Sequence, residues 1–178
     1  MKTIALINNW INRFKKDKDE NVSTENIRVI KTTKKHIKTI HLLEKDCFPD
    51  PWSLDSLRYE ITHPDSICFV AVNENEKILG HITMRHILNE GHINNIAVAK
   101  YARRQGVGQK LLETIIEKSK TLGILSITLE VRTKNHAAIS LYEKFGFKTQ
   151  GIRKNYYHKP ADDAFVMWMS ERLDTSNQ

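Results

Sequence analysis

The sequence predicts an α/β protein: one mixed sheet with helices on both of its faces. Three observations carry that prediction. Short runs rich in Val, Ile and aromatic residues are interleaved with segments whose apolar residues recur at helical spacing. Three such runs follow one another across short polar turns, which is the pattern of an antiparallel meander. A glycine turn then opens a long apolar-periodic run, "RRQGVGQKLLETIIE" (103–117), and a further strand-like run follows it, so the chain must cross over one face of the sheet.

Taken in order, "IRVIK" (27–31) is a short strand. Thr32 or Thr33 caps a helix reaching about Asp46, with Ile37, Ile40, Leu43 and Glu44 spaced along it. "FPDPWS" (48–53) breaks that helix, and Ser53 caps a shorter one through Ile61. "SICFVAVN" (66–73), "KILGHITMRHILN" (77–89) and "GHINNIAVAK" (91–100) form the meander. The helix after the glycine turn runs to about Leu122, and Gly123 ends it in the left-handed C-terminal position. "LSITLEVR" (125–132) is a strand, and "NHAAISLYEKF" (135–145) is a helix stopped by Gly146. "FKTQGIRK" (147–154) and "AFVMWMSERL" (164–173) close the sheet, giving the order β-α-α-β-β-β-α-β-α-β-β.

The chain has 178 residues, 40% of them hydrophobic and 28% charged, which fits one soluble globular domain rather than a disordered or membrane protein. No apolar run reaches the roughly 18–20 residues of a spanning helix. Two cysteines, Cys47 and Cys68, lack ligand spacing, so idle thiols in a reducing cytoplasm are expected. A net charge of +7 favours anionic partners without choosing among them. Because the lysines are dispersed rather than gathered into a basic arm, no direct contact with nucleic acid is expected. His81, His86 and His92 have no metal motif around them and read as surface or packing residues; no metal is expected.

Residues 1–26 stand apart as an extension. Ile4, Ile7, Ile11 and Phe14 recur at helical spacing beside Lys2, Arg13, Lys15 and Lys16, and "KKDKDENVSTEN" (15–26) reads as a solvated linker. The folded domain is expected over 27–173, with a short tail at 174–178.

Two glycines just before a helix suggest an anion site. Unpaired N–H groups and the positive end of the helix dipole meet there, and the bare backbone lets a phosphate approach. Arg103 and Arg104 add charge-assisted bonds. This is neither a dinucleotide fingerprint, since Leu111 stands where the third glycine belongs, nor a P-loop, since no G-K-[ST] follows.

"NNIAVAKYARRQGVGQKLLE" (94–113), "LEVRTKNHAAISLYEKFGF" (129–147) and "IRKNYYHKPADDAFVMW" (152–168) resemble the GCN5-related N-acetyltransferase superfamily. Within it they are most similar to the branch that acetylates the N-terminal alanine of a small-subunit ribosomal protein. The resemblance implies acetyl-CoA as donor, held where two parallel strands, here "NNIAV" and "SITLEV", splay apart. It implies that the pantetheine arm pairs with backbone groups of Ile96, Ala97 and Val98. The pyrophosphate is then held by the turn Arg103, Arg104, Gln105, Gly106, Val107, Gly108 and Gln109. Asn135 matches a cofactor-bonding position and also stands at a helix N-cap.

By the same resemblance Glu130 is the general base and Tyr142 the acid that protonates the departing thiolate. A half-apolar cleft would raise the basicity of Glu130; the other reading of this residue is a strand glutamate paired with Arg132 or a lysine. The acceptor, a protein N-terminus and by resemblance a ribosomal one, would enter between "FPDPWS" and the loop "NYYHKPADDA" (155–164). Pro51, Trp52, Tyr156 and Tyr157 would be its walls. The alternatives are a relaxed N-terminal or lysine acetyltransferase, or a basic ribosome- or RNA-binding module that keeps the fold without catalysis.

Overall fold

Seven strands form one sheet in the order β1-β2-β3-β4-β5-β7-β6 in the computed structural model, which describes residues 26–170. The amphipathic stretch with Ile4, Ile7, Ile11 and Phe14, and the chain from 171 onward, lie outside the described residues. The strands are β1 (Arg28–Lys31), β2 (Ser66–Val72), β3 (Ile78–Ile87), β4 (Glu90–Val98), β5 (Ser126–Arg132), β6 (Lys148–His158) and β7 (Ala161–Ser170). The helices are α1 (Ile37–Cys47), α2 (Leu54–Thr62), α3 (Val107–Thr121) and α4 (His136–Lys144). This is the expected element order. Among the described residues no helix is long and apolar enough to cross a membrane.

Local chemistry sets the element ends. Ser53 Oγ accepts from Ser56 N at 3.0 Å and Asn135 Oδ1 from Ala138 N at 3.2 Å, so the caps expected at these two positions form, while the one expected at Thr32 or Thr33 does not start α1. Thr33 precedes a single 3₁₀ turn, Lys34–His36, and α1 begins only after it. Gly123 and Gly146 take the left-handed conformation after α3 and α4.

Alternation along the strands separates the two faces. β5 alternates, with Ile127, Leu129 and Val131 buried, while β3 is covered on both faces and buries Leu79, Ile82 and Met84 alike. Val107, Leu111, Leu112 and Ile115 form the matching apolar stripe of α3. Each fully buried side chain of this kind contributes about 1.5–3 kcal/mol. On the opposite face α1 and α2 are tied down by two buried carboxylates. Glu60 accepts from Ser66 Oγ at 2.8 Å, Arg85 Nη2 at 2.5 Å and Asn94 Nδ2 at 3.0 Å. Glu44 accepts from Asn95 Nδ2 at 2.5 Å and Trp52 N at 3.0 Å.

β4 and β5, the parallel neighbours, pair over only four residues, Glu90↔Ser126 to Ile93↔Leu129. Beyond Leu129 the antiparallel partner β7 continues alongside β5, with Glu130 facing Val166 and Arg132 facing Ala164. The cause of the parting lies in β4. Thr83 pairs with Asn95 and Met84 with Ile93, so Asn94 is an extra residue, a β-bulge that bends β4 away from β5. The bulge turns both asparagines toward the helices, where Glu60 and Glu44 receive them.

The last hairpin departs from expectation. β6 runs to His158 and β7 starts at Ala161, so most of "NYYHKPADDA" is strand rather than loop, and the connection is Lys159–Pro160. The segment stays irregular because the register slips between Arg153 and Tyr157. Asp163 fixes that slip, accepting from Asn155 N at 2.9 Å and from Lys154 Nζ at 2.7 Å. The Lys154 ammonium and then the Asn155 N–H hold the Asp163 carboxyl below the usual carboxylate range.

Candidate active site

The gap between β4 and β5 is the mouth of the site, and Glu130 is the first β5 residue past the last β4–β5 pair. On the β4 side of the gap, Ala99 N donates to Leu79 O. Peptide groups alternate along a strand, so Ala97, opposite His81, turns its N–H and C=O into the β3 ladder, while Ile96 and Val98 turn theirs to the gap. This corrects the expectation that all three residues present free backbone groups. Val98 O is also engaged, by Arg103 Nε at 3.2 Å and Cys47 Sγ at 3.4 Å. What faces the gap open is the Ile96 peptide group pair and the Val98 N–H.

The glycine turn lies where β4 hands over to α3. Gly106 is the N-cap of α3 with φ 80°, a left-handed conformation that favours glycine, and no side chain caps the helix. The first intrahelical bond is Lys110 N to Gly106 O, which leaves the N–H groups of Val107, Gly108 and Gln109 without helical acceptors. Arg104, also left-handed at φ 63°, and Arg103 are exposed beside them. The second glycine has a packing reason as well: a Cβ on Gly108 would stand 3.3 Å from Leu141 Cδ2 of α4 and 3.7 Å from Val98 Cγ2. Gln105 and Gln109 are used locally, Gln105 Nε2 donating to Tyr101 O and Gln109 Nε2 to Glu113. The uncapped helix end and the parted strands fit a long anionic thioester such as acetyl-CoA.

Glu130 is nearly buried, and its surroundings are polar rather than half-apolar. His92 Nε2 stands 3.0 Å from Oε2 and Arg153 Nη1 3.0 Å from Oε1. His92 Nδ1 is in turn 2.8 Å from Thr128 Oγ1, one residue pair back along the same face. Arg132 is not the partner of Glu130. Its guanidinium donates to Pro160 O at 2.8 Å and Lys159 O at 2.9 Å and lies over the Tyr157 ring at 4.0 Å. Sequence reasoning missed His92 and Arg153, since each meets Glu130 only through strand register.

Tyr142 is buried on α4 against Phe147, with ring centroids 5.8 Å apart. Burial first, and then the neighbouring Tyr157, push its phenol above the ordinary value near 10. Tyr157 is pushed up to about 12, by burial first and then by Tyr156, and its hydroxyl lies 3.4 Å from Glu130 O. The Tyr156 ring packs edge-on against it, with centroids 5.1 Å apart. Pro51 and Trp52 are half-buried on the α1–α2 loop. Asn135 is exposed and caps α4. Burial also pushes both thiols up, Cys68 to about 12.

A seven-stranded mixed sheet parted between parallel neighbours, an uncapped helix start below the gap and a carboxylate at its mouth describe an acyl-CoA-dependent transferase. The model of the Acetyltransferase (GNAT) family matches residues 37–147, and the chain belongs to that family: it is an acetyl-CoA-dependent N-acetyltransferase. It is 31% identical over 134 residues to a protein of Bacillus subtilis named putative [ribosomal protein bS18]-alanine N-acetyltransferase, covering 75% of this chain and 89% of that one. It is 30% identical over 142 residues to the [ribosomal protein bS18]-alanine N-acetyltransferase of Salmonella typhimurium, covering 74% and 96%. The crystal structure of the ribosomal-protein-S18-alanine N-acetyltransferase from Escherichia coli superimposes with a TM-score of 0.77 at 27% identity, covering 85% of this chain and 98% of that one.

Proposed function

We propose that this chain acetylates the α-amine of a protein N-terminus, with the N-terminal alanine of ribosomal protein bS18 as acceptor, in a reducing cytoplasm. The acceptor comes from the names of the relatives. The chemistry rests on one observation: Glu130 follows directly on the last β4–β5 pair, so its carboxylate lies where the sheet opens.

Acetyl-CoA supplies the acetyl group as a thioester. Ile96 and the Val98 N–H hold the pantetheine arm as an added strand edge, and the N–H groups of Val107, Gly108 and Gln109 with Arg103 and Arg104 hold the pyrophosphate. Asn135, the N-cap of α4, is a further cofactor-bonding residue on this reading. An α-amine has a pKa of roughly 8, so most of it carries a proton at pH 7. Glu130 takes that proton, and His92, 3.0 Å away, stands ready to pass it to solvent. Arg153 fixes the carboxylate from the other side. The neutral amine attacks the thioester carbonyl, the C–S bond breaks, and Tyr142, kept protonated by burial, gives a proton to the leaving sulfur and is replenished by the proton the nitrogen sheds on becoming an amide. Trp52 and Pro51 on one side and Tyr156 and Tyr157 on the other form the acceptor walls. Acetyl-CoA turnover against synthetic peptides that vary the first two residues tests this reading. Alanine-initiated peptides are the expected acceptors, and preference for an internal lysine over free α-amines would overturn it.

A further inference from the structure

Beneath the proposed acceptor wall lies a charged group that the chemistry above does not use. Glu44, on α1, is fully buried, and each of its oxygens is committed. Oε2 accepts from Trp52 N at 3.0 Å. Oε1 accepts from Asn95 Nδ2 at 2.5 Å and lies 2.9 Å from Nε2 of His81, itself fully buried on β3. One turn earlier on the same face of α1, His41 Nδ1 lies 2.8 Å from Trp52 O. The peptide groups on both sides of Trp52 are therefore clamped to α1.

We infer that Glu44 is a positioning residue that fixes the acceptor wall relative to the donor strand. Asn95 belongs to the bulge that opens β4, and Trp52 belongs to the acceptor loop. A single carboxylate, with His81 of β3 beside it, spans the two and sets the separation between the amine and the thioester. This inference rests on the acceptor groove proposed above.

The test is steady-state kinetics of the full chain with an alanine-initiated peptide, beside acetyl-CoA binding by calorimetry. Glu44→Met takes the acceptor away from Trp52 N and Asn95 Nδ2 together, which releases the loop. The peptide KM is expected to rise about tenfold, while the Kd for acetyl-CoA stays within about twofold. Glu44→Gln is the conservative counterpart: its oxygen stays on Trp52 N and its N–H₂ meets Oδ1 of Asn95 once that amide turns over, so it is expected to recover most of the peptide KM. If Glu44→Met does not fold, His41→Phe removes the other half of the clamp, and a peptide KM raised about threefold is expected. With the wild type active, an unmoved peptide KM, or peptide and acetyl-CoA constants that rise together, overturns the role of Glu44 alone. A wild type that acetylates no amine overturns the acceptor assignment and this inference with it.

Discussion

The donor side and the acceptor side of the gap are built from different material. On the reading proposed above, the donor side is mostly main chain: the Ile96 peptide groups, the Val98 N–H and the uncapped N–H groups at the start of α3, with Arg103 and Arg104 beside them. The acceptor side is side chain: Glu130 with Arg153 and His92, Arg132 clamping the β6–β7 connection, and Asp163 pinning the slipped register of β6. A main-chain site tolerates most substitutions and recognises what every acyl-CoA shares. A side-chain site changes with each residue and can be fitted to one acceptor. On that reading, donor binding and acceptor choice are separable.

The largest test of that separation is Glu130→Gln. Turnover at neutral pH should fall by about 10²–10⁴-fold while calorimetry finds acetyl-CoA affinity intact. The deficit should shrink toward pH 9 as the amine loses its proton unaided; a pH-independent loss would assign Glu130 to charge or geometry. Next, Tyr142→Phe should cost about 10²-fold in kcat with acetyl-CoA binding kept. Because burial raises its pKa, and that of Tyr157 to about 12, both phenols stay protonated through pH 10, so the kcat profile should show no alkaline fall from either. Gly106→Val attacks the donor side instead. Forcing a β-branched residue to φ 80° costs about 1–2 kcal/mol, so the thermal midpoint should drop and the acetyl-CoA Kd should rise about tenfold. Smallest, Arg153→Gln should raise the peptide KM a few-fold and leave the acetyl-CoA Kd alone; an equal change in both would erase the division between the two sides.

What could be read from sequence follows the same division. The meander, the caps at Ser53 and Asn135, and the glycine turn are local, since each is decided by residues within a few positions of one another. The site's polar character is not local. Glu130 looks half-apolar beside Leu129 and Val131, and only register brings His92 and Arg153 to it. Ala97 looks equivalent to Ile96 and Val98 until pairing with His81 consumes its peptide groups. The last hairpin differs from its sequence pattern for a related reason: Pro160 and the two aspartates are loop formers, but Asp162 and Asp163 bond to Thr133 and Asn155 and so extend the strands.

The bulge in β4 gives the opening an unusual kind of encoding. The aperture depends on how many residues lie between Met84's partner and Thr83's, and the chemical nature of Asn94 is secondary to its presence. A point change at Asn94 should cost its bond to Glu60 and keep the opening, whereas shortening the chain by one position would let β4 and β5 zip together along their whole length. The catalytic slot is, in that sense, a matter of arithmetic.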